Sequence, residues 1–160
     1  MAWRLFKKQN KEEKNPISVS VLKPIDYPSM VILAWAKAIE GNDELQLWLK
    51  ENGYPELFYC VHAIYLKDEP RDWLLKNGYA HLMAMIHLAE GNQKAGKWLL
   101  EQKFQTLYHI GRAVDHENDS WIWLRQNSTQ DIFMLAKSIQ YIKDQIEENH
   151  NDMHSINKDL

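Results

Sequence analysis

Apolar positions in the body of the chain recur with helical spacing, and the whole pattern then repeats as a block. Between Tyr79 and Glu90, the apolar residues Leu82, Met85, Ile86 and Ala89 follow the i, i+3, i+4, i+7 rule of an amphipathic helix. The same columns hold Leu57, Cys60, Val61 and Ile64 one block earlier, and Leu107, Ile110, Gly111 and Val114 one block later. Tryptophan marks the period: Trp48, Trp73, Trp98 and Trp123 stand 25 residues apart, each followed by leucine. Four residues after each tryptophan comes an amide, at Asn52, Asn77, Gln102 and Asn127. Nine residues after it comes Leu57, Leu82, Leu107 or Ile132. Glu40-Gly41-Asn42 and Glu90-Gly91-Asn92 match two periods apart, so an incomplete first unit begins near Lys23 without its tryptophan. The only alternation suited to a strand is Ile17 to Val21, read as an extended lead-in before the repeats.

Each unit reads as two helices. In the clearest copy a short helix runs from about Glu69 to Lys76, with Asp68 as N-cap, Pro70 in the first turn and Gly78 as the αL residue that ends it. The second helix follows from about Tyr79 to Glu90. A pair this short cannot bury its apolar stripe alone, so neighbouring units must stack. The expected fold is therefore all-α, a small α-α superhelix (solenoid) of about five 25-residue helix-turn-helix repeats. The expected organisation is an N-terminal arm over 1–22, the repeat domain over 23–148 and a polar, frayed tail over 149–160. The tryptophan column, Trp35 and Cys60 are expected in the core. The helix–turn–helix unit ending in Asn-Gly resembles ankyrin and similar short-repeat α-solenoids, and its period is closest to leucine-rich-variant repeats. That resemblance covers about residues 23 to 142 and implies a binding scaffold.

Composition narrows the function classes. The chain has 160 residues, 19 Lys+Arg against 22 Asp+Glu, a net charge of -3 and 45% hydrophobic residues, as expected of one globular domain. Near-balanced charge argues against a nucleic-acid partner, whose phosphates demand a net positive field. A single cysteine, Cys60, excludes an intramolecular disulfide and any multi-cysteine zinc site. The longest apolar stretches are too short to span a bilayer, and the basic start, Met1 to Lys14, has no apolar segment after it. The expectation is a cytoplasmic protein with no membrane association.

The repeat columns carry the candidate chemistry. Fourteen residues after the tryptophan position stands a basic ladder: Lys37, His62, His87, Arg112 and Lys137. Two neighbouring outward columns hold Leu33, Phe58, Met83, Tyr108 and Phe133, and Ala34, Tyr59, Ala84, His109 and Met134. Aromatic residues, methionine and arginine are enriched in interface cores. The outward face of the second helices, with Phe58, Tyr59, Tyr108 and Phe133 beside the ladder, is therefore the expected binding surface, a concave groove for a protein or peptide with acidic and apolar groups. In the opposing reading the ladder is ordinary surface, paired within its own helices as Lys37–Glu40, His87–Glu90 and Arg112–Asp115. No phosphate loop, metalloprotease, nucleophile-elbow or calcium motif occurs, so no catalytic residue, metal ligand or cofactor is expected. His150 and His154, spaced i, i+4 in the tail, are at most an adventitious metal pair. The alternatives are an enzyme with a site between repeats around His87, His109 and Asp115, and a homodimer closed by the aromatic face.

Overall fold

The computed structural model describes residues 25–156, with side chains through 153. The basic arm and the lead-in over 17–21 lie outside the described residues. Among the described residues nine helices follow one another: α1 Ser29–Ile39, α2 Asp43–Glu51, α3 Pro55–Ile64, α4 Asp68–Lys76, α5 Ala80–Ala89, α6 Gln93–Glu101, α7 Gln105–Val114, α8 Asn118–Asn127 and α9 Gln130–Ile156. No strand is present among the described residues. The odd-numbered helices form the inner layer, α1 packing on α3, α3 on α5, α5 on α7 and α7 on α9. Each shorter even-numbered helix lies outside and touches the inner helices before and after it. The expected all-α series of stacked hairpins is what the chain adopts.

The ends of the series meet, because α9 also packs extensively on α1. Ser138 Oγ donates to Glu40 Oε1 at 2.7 Å across this seam. The inner helices run parallel: Tyr27 reaches Glu56 at one end of the α1–α3 pair, and Tyr65 reaches the Ile39 carbonyl at the other. The central column Trp35, Cys60, Met85, Ile110 and Leu135 is at most 1% exposed throughout. Every outer helix contributes one fully buried leucine: Leu49, Leu74, Leu99 and Leu124.

The turns explain the repeat's small residues. After α1, α5 and α7 the chain closes with six-residue hydrogen bonds, such as Asn42 N–H to the Lys37 carbonyl at 3.1 Å and Asn92 N–H to the His87 carbonyl at 2.9 Å. The residue before each of these donors is left-handed: Gly41 at φ 108°, Gly91 at 91° and His116 at 68°. The outer helices α2, α4 and α6 end likewise, through Gly53, Gly78 and Lys103, the last at φ 63°. Lys103→Gly should therefore stabilise the protein by about 0.5–1 kcal/mol, relief of αL strain exceeding the entropy glycine gains when unfolded. Urea denaturation checks this, and a loss of stability would refute it.

Four expectations change. Asp68 does not cap α4: Lys67 precedes the helix and Asp68 is its first residue, whereas the side-chain caps lie at Asn42, on Leu45 N–H, and at Asn92, on Lys94 and Ala95 N–H. The tail does not fray at 149, since α9 continues to Ile156. Met83 and Ala84, placed on the outward face by the helical wheel, are 1% and 8% exposed. They sit on α5, which is covered by the outer helices α4 and α6 and by the inner helices α3 and α7. The tryptophan column is not core: Trp48 and Trp98 are 40% and 37% exposed, and Trp73 and Trp123 are half-buried. On a short outer helix the following leucine takes the inward direction, and the indoles of Trp48, Trp73 and Trp98 lie against the aromatic residue just before the next inner helix. Trp35 and Cys60 are buried as expected.

Candidate interaction surface

The amide column makes the outer-helix ends rigid. Asn52 and Asn77 each donate from Nδ2 to the carbonyl of the preceding tryptophan at 2.8 Å, and Asn127 does so at 3.1 Å. The tryptophans are fixed there. Trp48 stacks on Tyr54 at 6.1 Å between centroids, Trp73 on Tyr79 at 5.8 Å, and Trp98 meets Phe104 edge-on at 6.0 Å. Their second faces differ by unit. Tyr59 covers Trp73 at 4.0 Å and His109 covers Trp123 at 4.0 Å, both nearly parallel. Ala34 and Ala84 stand at the equivalent inner-helix positions before Trp48 and Trp98. The alternation of Ala, Tyr, Ala and His along one column thus accounts for which tryptophans are exposed.

The aromatic candidates of the outward face sit beside cations supplied by outer helices or by their own helix. Lys50 lies 5.0 Å from the Phe58 ring centre, Arg112 lies 5.5 Å from that of Tyr108, and Arg125 and Lys137 each lie 5.7 Å from that of Phe133. Lys137 also covers Trp121 at 4.0 Å. Outer-helix residues therefore stand beside the basic ladder, as Trp121 beside Lys137.

Lys37 pairs with Glu40 at 2.9 Å, as its i, i+3 spacing suggests. The other two expected pairs are replaced. Glu90 bonds Arg71 and Lys143 rather than His87, and Arg112 bonds Asp119 at 2.9 Å and Glu117 at 3.5 Å rather than Asp115. Carboxylates from the following turn and helix approach Arg112, and cations from other helices approach Glu90. His62 is half-buried against Phe58, 4.7 Å away, and burial with the nearby Lys67 ammonium holds its imidazole below the ordinary range.

His109 Nδ1 lies 3.0 Å from Ser120 Oγ, but Ser120 is fully buried and out of reach of a substrate. Asp115 ends α7, its carboxyl pushed up by burial and the Glu117 charge. His87 is half-buried on α5. Burial, helped by Glu56, pushes the Cys60 thiol up and leaves it protonated. Two clefts touch expected site residues. One, of about 200 Å³, lies between Arg125 and Phe133, and the other, of about 270 Å³, lies between His62 and Asp43. Both are smaller than the usual small-molecule site of roughly 300–1,000 Å³. Among the described residues no group of three or more histidine, cysteine and acidic side chains is placed to hold a metal, and no helix is long and apolar enough to cross a membrane.

Burial lowers the imidazoles of both His81 and His109 below the ordinary histidine value of 6.5. Their neutral forms are favoured in the folded chain, so the unfolded chain binds protons first as the pH falls. The stability they support is present above pH 6.5 and is lost as the pH drops through their folded values. Thermal melts at pH 7.5 and 5.5 should show the loss, and His109→Phe, which keeps a ring on Trp123, should reduce it. A melt independent of pH over this range would refute the assignment. Comparison of the chain with protein-family models, with curated proteins and with solved structures found no match.

Proposed function

We propose that the protein is a non-enzymatic interaction module that binds a protein or peptide where the exposed tryptophans of the outer helices flank the outward face of the inner helices. The observation that carries this reading is the exposure of Trp48 and Trp98 on a rigid frame. Each indole rests on an aromatic ring, and the amide after Trp48 bonds its carbonyl, so little rotamer entropy remains to be lost on binding. The cation-flanked rings of Phe58, Tyr108 and Phe133 extend that surface and suit a partner with acidic and apolar groups. The resemblance to ankyrin-like repeats supports a scaffold role by architecture alone.

The test compares what the wild-type chain captures from its own cell lysate with what two folded variants capture. One carries Trp48→Ala and Trp98→Ala; the other reverses charge at Lys37, Arg112 and Lys137. A partner retained by the wild type and lost by the tryptophan variant is the expected result. Equal capture by all three would remove this face from the argument, and loss only on charge reversal would make the ladder the recognition element.

A further inference from the structure

The amide column at the outer-helix ends carries a chemistry that its structural role leaves unused. In two of its four places the amide is followed by glycine, at Asn52-Gly53 and Asn77-Gly78; the other two steps are Gln102-Lys103 and Asn127-Ser128. The carboxamide carbon of an asparagine is open to attack by the backbone nitrogen of the next residue, and a glycine there has no side chain to obstruct the approach. Both asparagines and both glycines are exposed, and a Cβ added at Gly53 or Gly78 would meet nothing within 4 Å. The glycine nitrogens are also uncommitted. Each turn closes one residue later, from Tyr54 N–H to the Leu49 carbonyl at 2.9 Å and from Tyr79 N–H to the Leu74 carbonyl at 2.8 Å. Among the described residues no hydrogen bond holds the N–H of Gly53 or Gly78. At the other two steps the corresponding nitrogen is tied: Lys103 N–H donates to the Leu100 carbonyl and Ser128 N–H to the Leu124 carbonyl, both at 3.0 Å.

We propose that Asn52 and Asn77 are sites of spontaneous deamidation, each gated by the opening of its own outer-helix end. The Gly53 nitrogen attacks Asn52 Cγ, the bond from Cγ to Nδ2 breaks, and Nδ2 leaves as ammonia with the proton of the glycine N–H. Water then opens the resulting cyclic imide at one carbonyl or the other, giving aspartate or isoaspartate. Water is the only other reactant, and Asn77 with Gly78 follows the same course. The fold slows the first step. At ψ 18° for Asn52 and 13° for Asn77 the glycine nitrogen is turned away from the side chain, and each Nδ2 is held on the preceding tryptophan carbonyl at 2.8 Å. Ring closure therefore waits for the last turn of α2 or α4 to fray, which exposed helix ends do at small cost. The product cannot refasten. A carboxylate has no N–H to give the Trp48 or Trp73 carbonyl, and its charge falls at the negative end of the helix. Each conversion thus adds one negative charge and frees a tryptophan from its amide bond. The assignment goes beyond the proposed binding function and does not depend on it.

Peptide mapping by mass spectrometry tests it, on the full chain incubated in mildly alkaline buffer, folded and in urea. The expected result for the folded chain is a mixture of aspartate and isoaspartate at positions 52 and 77, with Gln102 and Asn127 intact. In urea both sites should convert about tenfold faster or more, because two hydrogen bonds to each tryptophan carbonyl no longer oppose closure. No conversion at 52 and 77, or conversion at 127 just as fast in the folded chain, would overturn the assignment of the two glycine steps. Equal rates folded and in urea would overturn the gating by the helix end. Aspartate without isoaspartate would overturn the cyclic imide in favour of direct hydrolysis of the amide.

Discussion

Leu88→Ala is expected to lower the unfolding free energy by about 2–5 kcal/mol. Leu88 is 1% exposed and stands in a column where the other units hold Ala38, Ala63, Ala113 and Ser138. Two glycines accommodate its extra volume. A Cβ at Gly111 would lie 3.0 Å from Leu88 Cβ, Cγ and Cδ2, and one at Gly96 would lie 2.9 Å from Leu88 Cδ1. In the Gly111 column the other units carry Ala36, Val61, Ile86 and Ala136, so a small residue here is exchanged for a large one opposite. Gly111→Ala meets the rigid Cβ of Leu88 and should cost about 1–3 kcal/mol by overpacking, set against the roughly 1 kcal/mol that alanine contributes inside a helix. The double variant should be more stable than the sum of the two single changes implies, because each relieves the other. A double-mutant cycle by urea denaturation reads this coupling, and strict additivity would show that the two residues do not share one space.

Glu90→Gln is the second large effect, expected to cost about 3 kcal/mol. Glu90 Oε1 accepts from Arg71 Nη2 at 2.5 Å and from Lys143 Nζ at 3.1 Å, linking the end of α5 to α4 and to α9. The Lys143 side chain is 8% exposed, so without Glu90 an ammonium would remain buried with its countercharge gone. Arg71 also donates from Nε and Nη2 to the Ala63 carbonyl, at 3.0 and 2.9 Å, at the end of α3, where the carbonyl ends of the helix favour a cation. Burial alone would raise the Glu90 carboxyl, but the Arg71 hydrogen bond and the Lys143 charge outweigh it and hold the group below its ordinary value of 4.5. Its stabilisation is therefore complete above pH 4.5 and disappears as the pH falls through the lower folded value. Lys143→Met should cost less than Glu90→Gln, since it removes the buried charge and keeps the packing. Chemical denaturation of both variants checks the order, and the reverse order would place the destabilisation in a Glu90 carboxylate left without Lys143 rather than in an unpaired ammonium.

The candidate surface was legible only in part, and the tryptophans show why. A helical wheel places Trp48 and Leu49 about 100° apart, and both are large enough to fill a core. Leu49 goes inward because Tyr54 offers the indole a stacking partner at the edge, and nothing within the unit's own helix reveals that. The reading of Trp73 and Trp123 as half-covered and of Trp48 and Trp98 as open depends on the column Ala34, Tyr59, Ala84 and His109. That column was visible in the sequence, but its rings had not been placed opposite the indoles. The ion pairs moved for a related reason. Helical spacing offers Arg112 only Asp115 as a partner, whereas the turn after α7 brings Glu117 and Asp119 to it.

What the sequence by itself determined is the local grammar: the 25-residue unit, the two helices within it, the left-handed position at Gly78, and the burial of Trp35 and Cys60. Each follows from periodicity or backbone sterics over a few residues, which one unit contains in full. Tertiary structure alone decided the rest. The contact of α9 with α1 and the Glu90 cluster join residues of different units. Their existence depends on the small rotation from each hairpin to the next, summed over the series until the ends meet. No single repeat encodes that sum, because it is set by how residues such as Leu88 and Gly111 space neighbouring helices.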